Sequence, residues 1–133
     1  MTRLLLLLLP LLLLACQPPR TARDALVRAE SVYELACVAL EVADAATTAW
    51  LYSLAEPTDA DLAVAERLVP ALVSAAELLE DARAALLRGE RALTQTEAAL
   101  GLLRTASGLL GERAPPGLAT ALDAADGLLG GGR

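Results

Sequence analysis

Glu30-Ser31-Val32-Tyr33-Glu34-Leu35-Ala36-Cys37-Val38-Ala39-Leu40-Glu41-Val42-Ala43-Asp44, residues 30–44, decides the fold. Apolar residues recur there at three- and four-residue steps, Val32, Ala36, Ala39, Leu40 and Ala43, and continue through Ala46, Trp50 and Leu54. That spacing lays them along one face of a 3.6-residue helix and leaves Glu30, Glu34, Glu41 and Asp44 as an acidic stripe on the other. Outward from this segment, residues 22–129 stay rich in Ala, Leu, Glu and Arg, with almost no β-branched alternation. The fold class is therefore read as all-α.

Breaks divide the helical pattern into four pieces. The first helix is expected over about Ala22–Ala55, stopping before Glu56-Pro57 because a residue preceding proline is pushed out of the α region. The second, about Asp59–Arg88, ends near Gly89, and Pro70 inside it removes one backbone hydrogen bond and should bend the axis near Glu66. A two-residue turn between two long helices predicts an antiparallel hairpin of matched arms. A shorter helix follows over residues 95–110, then the break Ala114-Pro115-Pro116-Gly117 and a last helix over about Leu118–Leu129. Thr21 with Asp24, Thr58 with Asp61 and Thr94 with Glu97 match the capping box in which a threonine and an acid three residues on satisfy each other's amides. Thr120 with Asp123 matches too, at positions inside the last expected helix. The expected architecture is an antiparallel three-layer helical bundle of two long helices and two short ones, the short pair laid end to end, with residues 130–133 a frayed tail.

Before the bundle comes a different kind of segment. Thr2-Arg3 forms a short basic head, Leu4–Leu14 an apolar stretch broken only by Pro10, and Leu13-Leu14-Ala15-Cys16 closes it. This resembles the signal peptide and lipobox of bacterial lipoproteins, over residues 1–17 only. The resemblance implies cleavage between Ala15 and Cys16, a diacylglycerol on the Cys16 thiol and usually an acylated new amino terminus. It divides the chain into a signal peptide (1–15), a lipidated tether (16–20) and the bundle (21–129). Several acyl chains on one cysteine would anchor firmly, at about 0.8 kcal/mol per buried methylene. The sorting rule that travels with the resemblance places the protein at the outer membrane, on its periplasmic or outer face, because Gln17 stands where an aspartate would favour inner-membrane retention. Two other readings of the leader compete: a membrane span needs about 20 apolar residues, nearly twice this run, and an ordinary secretory signal would place Ala15 at its own cleavage site.

Composition bounds the chemistry. The chain has 133 residues, enough for one core, with 17 acidic residues against 11 basic ones, all arginine, and a formal net charge of −6. Nucleic acid and anionic lipid headgroups are poor partners for that balance. Histidine and phenylalanine are absent, as are lysine, isoleucine and asparagine. Most of these have AT-rich codons, so a GC-rich genome accounts for much of the pattern. Whatever the cause, the commonest general bases, metal ligands and Schiff-base nucleophiles are missing.

The candidate sites are correspondingly few. Cys37, the only thiol once Cys16 is lipidated, reads either as a buried spectator or as half of an intermolecular disulfide in a homodimer. The surrounding carboxylates oppose the thiolate that a nucleophilic role requires. Ser31, Ser53, Ser74 and Ser107 lack a histidine to activate them. The stripe Glu30, Glu34, Glu41 and Asp44 reads either as a solvated face or as a docking surface for an Arg-rich partner or divalent cations. A straight row of carboxylates cannot wrap a calcium ion, and neither metal nor cofactor is expected. Within the first helix, Leu40, Trp50 and Leu54 are expected to supply most of the hydrophobic stabilisation. The sequence thus predicts no enzyme but a lipid-anchored envelope protein with a structural or protein-binding role. A lysis accessory and an immunity or inhibitor lipoprotein both fit that description. A carboxylate-dependent hydrolase is the distant alternative, since two carboxylates suffice in glycosidases.

Overall fold

The computed structural model describes the backbone of residues 20–130 and the side chains of residues 23–130. The signal peptide, the Ala15–Cys16 cleavage site, the lipidation of Cys16, most of the tether and residues 131–133 of the tail lie outside the described residues. Four α-helices follow in order: α1 (Arg20–Ser53), α2 (Asp59–Leu87), α3 (Leu93–Leu110) and α4 (Pro116–Gly130), with a 3-10 turn, Gly111–Arg113, between the last two. No strand occurs among the described residues, and the fold is an all-α helical bundle.

Each helix end has a local cause. Thr58 caps α2 with the expected capping box: the Asp61 amide donates to Thr58 Oγ1 at 3.2 Å and the Thr58 amide donates to Asp61 Oδ2 at 3.0 Å. α2 then runs unbroken through Pro70. It stops in a Schellman motif, with the Glu90 amide donating to the Ala85 carbonyl at 3.0 Å and the Gly89 amide to the Leu86 carbonyl at 2.9 Å. That motif needs a left-handed residue, and Gly89 holds φ +78°. α1 already contains Arg20 and Thr21, so the expected start at Thr21 falls just inside it. Gly130, assigned to the tail from sequence, is the last residue of α4, and Pro116 is its first, the position where a missing N–H costs nothing.

Thr94 is a correction. α3 begins at Leu93, and its N-cap is Ala92, left-handed at φ 54° with no side-chain cap. Burial decides the start. Thr96 is buried and its hydroxyl donates to the Ala92 carbonyl at 3.0 Å, and Ala99, Leu100 and Leu103 follow in register towards the core. Thr94 is left exposed in the first turn, and its match with Glu97 is coincidental.

α1 and α2 form the expected antiparallel hairpin, for Tyr33 in the first half of α1 meets Arg83 and Leu86 late in α2, while Thr47 and Leu51 meet Val69 and Leu72. α3 packs chiefly on α2, and α4 chiefly on α1. The two short helices are not laid end to end. They fold back on each other, with Asp126 of α4 paired to Arg104 of α3, and Leu128 and Leu129 returning to the level of Leu93 and of Ala25 at the start of α1. The chain reverses over the five residues between α3 and α4, through Gly111, at a positive φ of +59°, and the 3-10 turn Gly111–Arg113.

The core combines a few large side chains with many small ones. Val32, Leu68, Leu100, Leu103, Leu110 and Leu118 are fully buried, and alanines fill most of the remaining inner positions. Each such leucine stabilises the fold by about 1.5–3 kcal/mol. Here a second expectation is corrected. Of Leu40, Trp50 and Leu54 only Trp50 is buried, because Leu40 lies at the α1–α2 seam and Leu54 beyond the last turn of α1.

Candidate functional site

α1 and α2 are the two longest helices, yet they pack on each other less closely than α2 on α3 or α1 on α4. Their outer seam is open. One depression, of about 370 Å³, is floored by Leu40, Leu51, Val69, Leu72 and Val73 and edged by Glu41 and Asp44. A second, of about 210 Å³, lies towards the α2–α3 end between Tyr33, Leu86 and Leu87, edged by Glu30 and Glu34, with Arg83 on the α2 side. A third patch, at Thr48, Leu51 and Tyr52, continues the seam towards the α1–α2 turn.

All four residues of the acidic stripe are exposed, and every one lines this seam, two at each of the first two depressions. Sequence reasoning found the carboxylates but missed the apolar floor from α2. Val69 and Val73 are 42% and 52% exposed, and Leu51 is 37% exposed. A step of four between two valines on a helix already carrying Leu68 and Leu72 inward was the available signal. It means that α2 has apolar side chains on a second face.

Cys37 is a free, half-buried thiol packed against the main core beside Tyr33, one turn away. Burial first, and then the Cys37 side chain, push the Tyr33 hydroxyl from 10.0 up to about 12; Arg83 opposes the shift and Glu80 adds to it. Two of the serine hydroxyls donate to their own helix, Ser31 to the Val27 carbonyl at 2.9 Å and Ser53 to the Trp50 carbonyl at 2.6 Å. No group of three or more His, Cys, Asp or Glu side chains converges among the described residues.

No family model, curated protein or solved structure matches the chain. The site must be read from its own chemistry.

α1 also meets the length and apolarity of a membrane span over Arg23–Ser53, with a mean hydropathy of 1.2 across its most apolar window. Its inner row, Val32, Ala36, Ala39 and Ala43, is buried against the other helices, which gives that apolarity a role within the bundle. Its outer row carries the four carboxylates, each costly in hydrocarbon.

Proposed function

We propose that this chain is a lipid-anchored protein of the bacterial envelope, placed at the outer membrane, whose helical bundle works by holding another protein along the α1–α2 seam. The observation that carries the docking half is the apolar floor of Leu51, Val69 and Val73, gathered in one groove between α1 and α2 and left open to solvent. Apolar side chains gathered in one groove and rimmed by polar ones mark interaction surfaces more often than scattered exposure does. The anchoring half is supported by Leu13-Leu14-Ala15-Cys16 at the end of the leucine run. A hydrolytic role draws no support from carboxylates strung along one helix rather than facing each other across a cleft.

Two measurements test the two halves separately. Mass spectrometry of the mature protein should find an acylated amino-terminal cysteine at position 16, and Cys16→Ser should accumulate unprocessed precursor; a mature chain starting at any other residue removes the anchor. A photo-crosslinking amino acid at Val73 should capture one identifiable protein in intact cells, whereas the same group at exposed Asp123 on α4 should not. Equal capture from both positions, or none from Val73, removes the docking role.

A further inference from the structure

The chemistry of the seam specifies its occupant, and this step rests on the docking role just proposed. Its apolar floor is discontinuous along the helix axis, with one depression around Leu40, Leu51 and Val73 and another around Tyr33 and Leu87. From Glu30 to Tyr52 the seam follows α1 for roughly 33 Å at 1.5 Å per residue, about six helical turns. Its α1 edge carries Glu30, Glu34, Glu41 and Asp44 without a single basic residue between them, and on the α2 side Arg83 is the cation lining the groove.

We infer that the seam receives one amphipathic helix of a partner protein, its apolar ridge seated in the depressions and arginine or lysine residues flanking the ridge against the α1 carboxylates. A helix suits the groove because ridge residues at i, i+3, i+4 and i+7 supply the spaced anchors that separate depressions accept. An extended strand requires a sheet edge to pair with, and no strand occurs among the described residues. A second copy meeting this one through the same seam would bring the same acidic rows together across a two-fold axis, which like-charge repulsion disfavours. An anionic lipid surface is repelled for the same reason. Cationic flanks relieve the repulsion between Glu30 and Glu34, spaced i, i+4, and between Glu41 and Asp44, spaced i, i+3, so their attraction is a difference between bound and free states.

The test uses the full lipidated chain in nanodiscs of neutral phosphatidylcholine, with empty discs as the blank. The probe is a fluorescent synthetic 21-residue helix with leucine at its ridge positions and arginine at its flanks, compared with the same peptide carrying glutamate flanks. The arginine peptide should bind at least ~10-fold more tightly than the glutamate peptide, and binding should weaken several-fold as salt rises from 0.05 to 0.5 M because exposed charges are screened. Glu41→Arg with Asp44→Arg should weaken binding at least ~10-fold. Glu112→Arg with Asp123→Arg makes the same change of net charge at exposed positions lining neither depression, and should leave affinity within about twofold. Circular dichroism checks that both variants remain folded, and Val73→Ser, which keeps every charge, should also weaken binding. Equal binding of both peptides, or equal effects of the two charge reversals, overturns the inference. Self-association that persists at high salt and is lost in Val73→Ser, without peptide binding, assigns the seam to a second copy instead. If the Val73 crosslinker captures the same cellular partner equally well in the Glu41→Arg, Asp44→Arg chain, the docking role stands and the cationic helix falls.

Discussion

Single residues separate what burial does from what charge does. Leu103 is fully enclosed on α3, so Leu103→Ala removes contacts on all sides and should cost about 2–5 kcal/mol. Leu40→Ala, on the open seam, should cost distinctly less, and chemical denaturation of the two variants measures the difference. Tyr33 provides a titration. A hydroxyl whose pKa is raised from 10.0 to about 12 holds its proton more tightly in the folded chain, so its contribution to stability is fully present below pH 10 and is lost as pH rises from 10 to 12. Absorbance at 295 nm should therefore show a tyrosine that ionises near pH 12 in native protein and disappears in Tyr33→Phe; a native protein whose tyrosines all ionise near 10 would contradict the burial. At this scale the sequence was half legible. The inner row of α1 could be read from spacing, since Val32, Ala36, Ala39 and Ala43 are all buried. Which leucines carry the core could not, because that depends on where α3 and α4 come to rest.

Helices differ in how strongly their own ends hold them. Thr58 closes a reciprocal pair of hydrogen bonds and Thr94 closes none, so Thr58→Ala should cost about 1 kcal/mol while Thr94→Ala stays within about 0.5 kcal/mol. Thermal melts of the pair check it, and equal losses would mean that α3 starts at Thr94 after all. The Thr58 amide first, and then its hydroxyl, hold the Asp61 carboxyl below its usual 3.8. Its contribution is present above pH 3.8 and fades as pH falls through the lowered value, so the Thr58→Ala deficit should shrink in acid. The stops at Ser53, Leu87 and Leu110 were readable within a few residues because proline and glycine act locally. The cap of α3 falls at Ala92 instead of Thr94, because the capping pattern competes there with the burial of Thr96, and burial wins even though it leaves Ala92 left-handed, a conformation that costs a non-glycine residue about 1–2 kcal/mol.

For the whole molecule, the sequence told the class and the count of helices but not their closure. Two half-length helices fit equally well in line or folded back, and only packing between distant segments, such as Arg104 with Asp126, distinguishes the two. The seam escaped for the same reason. Half of it comes from α2 and half from α1, and neither helix alone shows a groove. A last consequence follows from Trp50, the one tryptophan of the chain. It is buried, with the Arg113 guanidinium 5.0 Å above its ring, so α1 and the turn between α3 and α4 meet at this indole. The molecule thus carries a built-in optical gauge at the end of α1 remote from Arg20. If one core unites all four helices, the fluorescence change of Trp50 and the loss of far-ultraviolet helix signal should follow the same urea curve. A fluorescence midpoint clearly below the helix midpoint would mean instead that this end lets go first, while the rest of the bundle stays assembled.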